Sequence, residues 1–488
     1  MSQTSSLKFG TSGLRGLVSD LVGAPSRTYA GAFLKHLAAS GRAPRAVLVG
    51  RDLRSSSPRI AADCARAARA LGIEAIDCGA LPTPALAGEA IKRGLPAIMV
   101  TGSHIPDDRN GLKFYAATGE ITKADEAGIL AAHAALEPGF GEDADETGTG
   151  TEGSPWSGEA GEAARAAYLA RNIAFFADRA LSGLRVGVYQ HSSVARDLLV
   201  EVLEGLGASV EALGRADRFV PVDTEAHRPE DRALIAQWTR DGRFDAVVSS
   251  DGDADRPLMA DASGAILRGD VLGLLTARFL GAAVVATPVT SASAIERVMG
   301  ETGARVSRTR VGSPFVLEAM EAALAQGASP VIGFEANGGV LLGSDVALDG
   351  RRLQALPTRD ALLPILAALA LVAREEKPLA RIVEALGAGF TAADRLKEVP
   401  AAESAPFLKR LAEEEGFARR FFEDGPAIAG HDTLDGVRVL FDDGSVVHYR
   451  ASGNAPELRC YVEAQSQDAA NTRLAWGLKA AEDALRAG

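Results

Sequence analysis

The chain has 488 residues, more than one hydrophobic core usually supports, so we expect several domains. With 47% apolar and 24% charged residues, its composition is that of a globular protein. The net charge of −12 argues against general nucleic-acid binding, which requires a basic surface. Three scattered cysteines form neither a disulfide framework nor a zinc motif, which favours a reducing, cytoplasmic compartment. We expect neither a signal peptide nor a membrane span, since the longest apolar segment, residues 361–373, is too short.

The first third of the chain alternates short apolar runs with helical patterns. Strands are predicted at residues 46–50, 73–77 and 97–100, with helices between them. Such alternation indicates a mostly parallel sheet covered by helices on both faces. In sheets of this kind, ligands bind in the loops at the carboxyl ends of the strands.

The loop after residues 97–100 carries the first candidate chemistry. Ser103 stands beside His104, and Lys113 follows ten residues later. The hydroxyl is a candidate nucleophile, and the two basic side chains are candidate proton carriers. An ordinary polar turn is the alternative interpretation.

A cluster of carboxylates follows the predicted strand at residues 245–250. Asp251, Asp253 and Asp255 alternate with small residues, and Arg256 comes next. Three carboxylates at a strand end are costly without a neutralising cation, and hard oxygen ligands suit Mg²⁺. The alternative is a solvated acidic loop.

A third polar loop follows the strand predicted at residues 330–334. Glu335 and Asn337 lie two positions apart in a glycine-rich turn, a pattern suited to gripping neighbouring sugar hydroxyls. Arg310 and Gly312 belong to an earlier loop. A plain β-turn is the alternative for the Glu335 loop.

The C-terminal part has a different pattern. Residues 437–449 predict a β-hairpin, and Arg450, Ser452, Asn454 and Arg459 follow within one short segment. Guanidinium, hydroxyl and amide groups at this density suit a dianionic phosphate. An arginine-decorated hairpin loop is the alternative.

Several separated motifs together resemble the α-D-phosphohexomutase superfamily, most closely its phosphomannomutase/phosphoglucomutase branch. The motifs that carry the resemblance are FGTSGLRG, GRDLRSSSP, TGSHIPDDRNGLKFY, DGDADR, GFEANGG and RASGNAPELR, in the order of the family. They extend from about residue 9 to residue 463.

The resemblance implies four domains with the active site in a central cleft. Three similar α/β domains would have mixed, mostly parallel sheets, and the C-terminal domain would be antiparallel α+β. We place the domains, which carry the phosphoserine, metal-binding, sugar-binding and phosphate-binding loops respectively, at residues 1–152, 153–265, 266–380 and 381–488.

The resemblance also implies roles for single residues. Catalytic roles would fall to Ser103, His104, Lys113, Arg15 and Arg256. One Mg²⁺ per site would be bound by Asp251, Asp253 and Asp255 with the phosphate on Ser103. The substrate would be bound by Arg310, Gly312, Glu335, Asn337, Arg450, Ser452, Gly453, Asn454 and Arg459.

The implied activity is reversible phosphoryl transfer between the 6- and 1-positions of a hexose phosphate through a phosphoserine. Mannose phosphate is the expected substrate, glucose phosphate a further one, and hexose 1,6-bisphosphate the intermediate and activator. We expect a small-molecule substrate, no nucleic acid or membrane partner, and a monomer or weak homodimer. Phosphoglucosamine mutase and a catalytically silent sugar-phosphate-binding protein are the alternatives, and the sequence leaves the preferred hexose open.

Overall fold

The computed structural model describes residues 5–10, 13–141, 154–177, 179–452 and 456–486. Gly453 and Asn454, two of the predicted phosphate-binding residues, lie outside these ranges. Within them, no helix combines the length and the apolar character needed to cross a bilayer.

The first domain is built on a mixed sheet. Its elements are β1 (Lys8–Gly10), β2 (Gly13–Leu17), α1 (Val18–Leu21), α2 (Ala24–Ala39), β3 (Ala46–Arg51), α3 (Ser57–Ala70), β4 (Glu74–Ala80), α4 (Thr83–Arg93), β5 (Ala97–Val100), β6 (Arg109–Ala116), β7 (Gly119–Glu120) and α5 (Lys123–Ala134). Strand β8 (Gly158–Glu159), which lies beyond the predicted boundary at residue 152, joins the same sheet beside β4, and α6 (Gly161–Phe176) follows it toward the second domain. The sheet order is β1-β2-β6-β5-β3-β4-β8, with β7 on β6. Its centre, β5-β3-β4, is parallel, and β6 returns antiparallel to β5.

Buried apolar residues explain the centre of this sheet. All four residues of β5 are buried, as the unbroken apolar run predicts for a strand covered on both faces. At the periphery, α5 begins at a capping box, in which Thr122 and Asp125 each accept a backbone N–H bond from the other.

The second domain has a smaller sheet of the same kind. Its elements are β9 (Arg185–His191), α7 (Arg196–Gly205), β10 (Ser209–Arg215), α8 (Pro229–Thr239), β11 (Ala246–Ser250) and β12 (Pro257–Asp261). The strand order is β10-β9-β11-β12, in which the first two pairings are parallel and the last is antiparallel.

The third domain follows directly. Its elements are α9 (Gly269–Phe279), β13 (Val284–Pro288), α10 (Ala294–Gly300), β14 (Arg305–Thr309), α11 (Ser313–Ala325), β15 (Val331–Phe334), β16 (Val340–Leu342), β17 (Val346–Leu348), β18 (Arg351–Leu353), β19 (Leu356–Asp360) and α12 (Leu362–Glu375). Strands β13 and β15 are parallel, and β16 and β19 extend the sheet antiparallel. Eleven of the fourteen residues of α12 are buried, so the apolar segment at 361–373 is the expected core helix.

The C-terminal domain is antiparallel throughout its sheet. Its elements are α13 (Leu379–Ala385), β20 (Phe390–Lys397), α14 (Ala401–Glu413), α15 (Glu415–Phe421), β21 (Ile428–Asp432), β22 (Val437–Phe441), β23 (Val446–Ala451), β24 (Glu457–Ala464) and α16 (Gln467–Arg486). The strand order is β20-β24-β23-β22-β21. The predicted hairpin is the β22–β23 pair.

The chain forms two compact units, and we describe each by itself. The first unit contains residues 1–286 and 312–382, and the second contains residues 287–311 and 383–488. The four-domain α/β architecture with mixed sheets and an antiparallel C-terminal sheet is therefore confirmed. In the first unit, the ends of β5, β11 and β15 lead into the three predicted loops.

Candidate active site

Ser103 lies at the end of β5, in a loop that holds it in an unusual conformation. Its backbone φ is 56°, in the left-handed region that residues other than glycine rarely adopt. The residue is fully buried, and its N–H donates to Thr101 Oγ1 at 2.8 Å. Strained backbone of this kind persists only where its surroundings enforce it, which marks the loop as a functional candidate.

The Ser103 hydroxyl meets the metal-binding loop of the second domain. Its Oγ donates to Asp251 Oδ2 at 2.5 Å. A Cβ added to Gly252 would lie 2.8 Å from the Ser103 carbonyl oxygen, so this approach of the two loops requires glycine. The structure therefore brings together two predicted sites that are 148 residues apart in sequence.

His104 lies next to the same hydroxyl. Its Nδ1 is 3.1 Å from Ser103 Oγ, and Arg256 Nη1 donates to that nitrogen at 3.1 Å. Burial, reinforced by the charge of Arg256, lowers the pKa of His104 to about 3. The imidazole is therefore neutral, with Nδ1 as an acceptor, as assigned from this hydrogen bond.

The aspartate triplet forms a compact buried cluster. Asp251, Asp253 and Asp255 are fully buried, and each offers an oxygen within 4.8 Å of the other two. Burial and the two neighbouring carboxylates raise the pKa of Asp251. Lys113 Nζ donates to Asp253 Oδ2 at 2.5 Å and also contacts Asp255, so one predicted proton carrier is also an ion-pair partner of the triplet.

The donor set of this cluster fits a divalent cation. Among the described residues, the buried Oδ1 atoms of Asp253 and Asp255 have no hydrogen-bond partner. A buried carboxylate oxygen without a partner is costly, and a bound cation would satisfy it. Carboxylate oxygens are also the hard ligands that Mg²⁺ prefers.

The predicted sugar loop is connected to the triplet by Arg359, at the end of β19. Its Nε donates to Asp255 Oδ2 at 3.1 Å, and its Nη1 donates to Glu335 Oε2 at 3.0 Å. Burial alone raises the pKa of Asp255, but the charges of Arg359 and Lys113 outweigh burial and lower it. Arg359 thus keeps Asp255 ionised and holds the loops of Asp255 and Glu335 together.

Asn337 has a structural task besides any ligand contact. Its Oδ1 accepts the Gly339 N–H at 3.0 Å, which shapes the turn, while its Nδ2 lies 3.5 Å from Glu335 Oε2. The side-chain oxygen predicted to accept from a sugar hydroxyl already accepts from the backbone. Its second lone pair and the amide hydrogens are what remain for a ligand.

Arg15 is a further basic residue close to the aspartate triplet and Arg256. The residue lies on β2, which pairs with β6, the strand that carries Lys113. Burial, together with the like charge of Arg256, lowers the pKa of Arg15 to about 10, which still leaves it protonated near neutral pH. The five predicted catalytic residues are therefore gathered in the first unit with the triplet, Glu335 and Asn337.

The remaining predicted substrate residues are described unit by unit. Arg310, Arg450, Ser452 and Arg459 belong to the second unit, whereas Gly312 belongs to the first and precedes α11. In the second unit, Asp435 Oδ2 accepts from Arg450 Nε at 2.7 Å. The same oxygen accepts the Val311 N–H at 2.9 Å, so one carboxylate joins the Arg310 loop to the Arg450 strand.

Several residues that organise the site are absent from the sequence prediction. Thr83 Oγ1 donates to Asp253 Oδ2 at 2.6 Å, and Arg359 bridges Asp255 and Glu335 as described. Arg54 lies under the serine loop, and the GRDLRSSSP motif that contains it was the available signal. Arg359 had a weaker signal, a basic residue at the end of a strand in Thr358-Arg359-Asp360.

Comparisons with known proteins identify the family of the chain. Models of the four domains of phosphoglucomutase/phosphomannomutase match the chain in order. Alpha/beta/alpha domains I, II and III match residues 6–138, 166–264 and 268–388, and the C-terminal domain matches residues 391–475.

Individual relatives match over nearly the whole chain. A phosphomannomutase of Sinorhizobium fredii is 48% identical over 474 residues, covering 96% of this chain and 98% of the relative. A phosphomannomutase of Salmonella muenchen is 42% identical over 466 residues, covering 95% and 93%. The crystal structure of a phosphoglucomutase/phosphomannomutase family protein from Burkholderia thailandensis superposes with a TM-score of 0.76 at 23% identity, covering 98% of each chain. The chain belongs to the phosphoglucomutase/phosphomannomutase family.

Proposed function

We propose that the chain is a phosphohexomutase that interconverts mannose 6-phosphate and mannose 1-phosphate and also accepts glucose phosphates. The observation that carries this proposal is the Ser103 hydroxyl, 2.5 Å from Asp251 within the aspartate triplet and 3.1 Å from His104. A hydroxyl so placed suits reversible storage of a phosphoryl group next to a cation. The names of the Sinorhizobium fredii and Salmonella muenchen relatives support mannose as the hexose.

In the first half-reaction, the sugar hydroxyl oxygen of a hexose monophosphate bonds to the phosphorus of phosphorylated Ser103. The bond between phosphorus and Ser103 Oγ breaks, and the sugar becomes a hexose 1,6-bisphosphate. The sugar hydroxyl loses its proton to a base, for which neutral His104 is the proposed carrier, while Lys113, an ammonium paired with Asp253 and Asp255, is the proposed proton donor. Ser103 Oγ takes up a proton as it leaves, which Lys113 is proposed to donate, because Nδ1 of neutral His104, 3.1 Å from that oxygen, carries no proton.

In the second half-reaction, Ser103 Oγ bonds to the other phosphate of the bisphosphate and returns its proton to Lys113. The bond between that phosphorus and its sugar oxygen breaks, the sugar oxygen recovers a proton, and the phosphoserine is restored. No water takes part in either half-reaction, and the complete burial of Ser103 favours exclusion of water.

Charge neutralisation is the main task of the surrounding residues. Asp251, Asp253 and Asp255 would hold one Mg²⁺ together with the seryl phosphate, and the ion would supply positive charge to the transferring phosphoryl group. We propose that Arg15, which is partly buried, and Arg256, which is buried, contribute further positive charge. Lys113 balances the carboxylates and keeps the cluster compact.

The proposed substrate ligands are named unit by unit. In the first unit, Glu335 and Asn337 are proposed to bind sugar hydroxyls, and Gly312, which precedes α11, is a further proposed substrate ligand. In the second unit, the proposed ligands of the non-reacting phosphate are Arg310, Arg450, Ser452, Gly453, Asn454 and Arg459.

Replacement of the proposed nucleophile tests the function. Ser103→Ala is expected to lower mannose 6-phosphate conversion by roughly 10⁶-fold, the scale observed when a catalytic nucleophile is removed. Treatment with hexose 1,6-bisphosphate should add about 80 Da of phosphate to the wild-type chain and none to the variant. Undiminished turnover by Ser103→Ala would refute the mechanism.

A substrate panel separates the named alternatives. We expect the highest kcat/KM with mannose phosphate among mannose, glucose, glucosamine and N-acetylglucosamine phosphates. Preference for glucosamine phosphate would reassign the chain as a phosphoglucosamine mutase. A wild-type chain that binds these sugars without turning any of them over or accepting phosphate would be a silent binding protein.

A further inference from the structure

Arg54 lies buried beneath the serine loop, and its guanidinium is fully used by hydrogen bonds. Its side chain has no exposed area. An arginine has five N–H donors in a rigid plane, and each of the five has a partner here. Nε donates to Asp52 Oδ2 at 3.1 Å, Nη1 to the carbonyls of Pro106 (2.7 Å) and Arg109 (3.0 Å), and Nη2 to the carbonyls of Ser103 (3.1 Å) and Ile105 (2.6 Å).

Four carbonyl oxygens of one loop therefore converge on a single cation. Carbonyl dipoles that point at one another repel, so this backbone shape needs a positive group at its centre. The fit is close, because a Cβ at position 102 would lie 2.7 Å from Arg54 Cζ. Gly102 is what allows the loop to fold over the guanidinium.

The same network holds Ser103 from both sides. The Ser103 N–H donates to Thr101 Oγ1, and the Thr101 hydroxyl donates to Asp52 Oδ2 at 2.8 Å. The Ser103 carbonyl accepts from Arg54, which is paired with the same Asp52. Both backbone polar groups of the left-handed residue are thus tied to one buried ion pair.

The second domain covers this ion pair. The ring centroid of Phe219 lies 3.9 Å from Arg54 Cζ, a cation–π contact in a buried setting. The same ring lies close to Gly252 of the metal-binding loop, 3.0 Å from where a Cβ would be. Arg54 is therefore enclosed between the serine loop and a side chain that contacts the loop of Asp251.

We infer that Arg54 is a positioning residue for phosphoryl transfer: its guanidinium holds Ser103 in the left-handed conformation that directs Oγ at Asp251. This inference rests on the proposed function, because it assigns a reason for the fixed geometry of the serine. Lysine cannot replace Arg54, since an ammonium has three donors at one point and cannot span four carbonyls.

The test compares Arg54→Lys and Arg54→Ala with Arg27→Lys. Arg27 is a matched control, because it is also a buried arginine of the first domain, paired with Asp63 at 3.2 Å. We expect kcat to fall about 100-fold in both Arg54 variants, as for a reacting group displaced by about 1 Å, with KM little changed. The Arg27 variant should keep its kcat.

Chemical rescue distinguishes positioning from a general loss of structure. Guanidinium chloride well below denaturing concentrations should restore part of the kcat of Arg54→Ala, and ammonium chloride should not. Wild-type kcat in folded Arg54→Lys, or a loss of activity that only follows its unfolded fraction, would overturn the inference.

A second variant applies if the Arg54 variants do not fold. Thr101→Val removes the bond to the Ser103 N–H and should lower kcat while leaving KM nearly unchanged; an unchanged kcat in the folded variant would overturn the inference. Failure of the proposed function is distinguishable, because the wild-type chain would then turn over none of the hexose phosphates.

Discussion

Two regions are proposed to hold phosphate: the serine loop around Ser103, and the segment that carries Arg450 and Arg459, here called the Arg450 segment. They differ in the burial and in the hydrogen-bond partners of their polar groups. Ser103 and Arg54 are buried, and their hydrogen bonds are made within the protein. In the second unit, the side chains of Arg450 and Arg459 are 14% and 37% exposed. Their ion-pair partners are the carboxylates of Asp435 and Glu457, with which a bound phosphate would share or compete for the two guanidinium groups.

This difference follows from the two tasks. Covalent transfer needs a nucleophile that is placed before the substrate arrives, because misplacement raises the barrier directly. In the proposed reaction the two half-reactions transfer different phosphates, so the site for the non-reacting phosphate must bind either end of the sugar, and charge matters more than one fixed geometry. Variants in the serine and metal loops should therefore affect kcat, and variants in the Arg450 segment should affect KM.

Among the predictions that test this comparison, metal removal should have the largest effect, and it acts on the buried centre. Chelation is expected to lower kcat by about 10³-fold or more, since a bound cation supplies several kcal/mol of charge stabilisation. Added Mg²⁺ should restore activity, which a coupled assay with a metal-independent second enzyme would measure. Full activity after exhaustive chelation would remove the aspartate triplet from the mechanism.

Loss of Arg359 should also act on the buried centre, through stability. Arg359→Met leaves Asp255 and Glu335 without their shared partner, and breaking a buried ion pair in this way costs about 3–5 kcal/mol of unfolding free energy. Denaturant titration measures this loss. The matched control is Arg352→Met, because Arg352 is 71% exposed in its pair with Asp345 and such a pair is worth about 0–1 kcal/mol.

A similar loss of stability in the two arginine variants would contradict the proposed difference between buried and exposed ion pairs. It would mean that the ion pairs of Arg359 contribute no more to the free energy of unfolding than the surface pair of Arg352 does.

In the Arg450 segment, substitution should weaken binding with little change in kcat. Arg450→Ala is expected to raise KM about 10- to 100-fold, the value of one or two charge-assisted hydrogen bonds. Asp435→Asn should have a smaller effect of the same kind, because Asp435 orients Arg450 without carrying charge to the ligand. A decrease in kcat alone in Arg450→Ala would contradict the proposal that the Arg450 segment affects KM and the serine and metal loops affect kcat.

The smallest effect concerns pH and the stability of the second unit. Burial lowers the pKa of His448 from 6.5 to about 4, and its Nε2 lies 2.6 Å from the Asp435 carbonyl oxygen. Because the unfolded chain binds this proton at a higher pH than the folded chain does, the stability contributed by neutral His448 is lost as the pH falls between those values. The free energy of unfolding should change by up to about 1.4 kcal/mol per pH unit in this interval.

His448→Gln keeps a donor for the Asp435 carbonyl and removes the titration. Hydrogen exchange of β23 amides should therefore depend less on pH between 6.5 and 4 in this variant than in the wild type. Identical pH dependence in both chains would show that His448 is not the responsible group.

Much of the architecture is predictable because local patterns and strand order specify it. The unbroken apolar run of β5 and the alternation of strands and helices predict a covered α/β sheet, which the structure confirms. The polar residues that follow β5 and β11 predict that Ser103 and Asp251 are loop residues, and both are. The contact between their side chains is not a local property, and the sequence alone provides no distance.

The organising residues were harder to predict, since their roles depend on long-range packing. An arginine in a polar motif has many surface uses, and the burial of Arg54 follows from the fold of the serine loop over it. Arg359 acquires its role only where β19 ends beside the loops of Asp255 and Glu335, which lie 104 and 24 residues away in sequence.

The sequence by itself therefore determined the domain order, the residue types of the chemistry and the loops that carry them, because these depend on short-range periodicity and on motif composition. The tertiary structure alone decided which charges neutralise one another, which nitrogen of His104 accepts a hydrogen bond, and what holds Ser103 in the left-handed region. These properties depend on distance, burial and desolvation, which come into existence only when residues far apart in the chain are packed together.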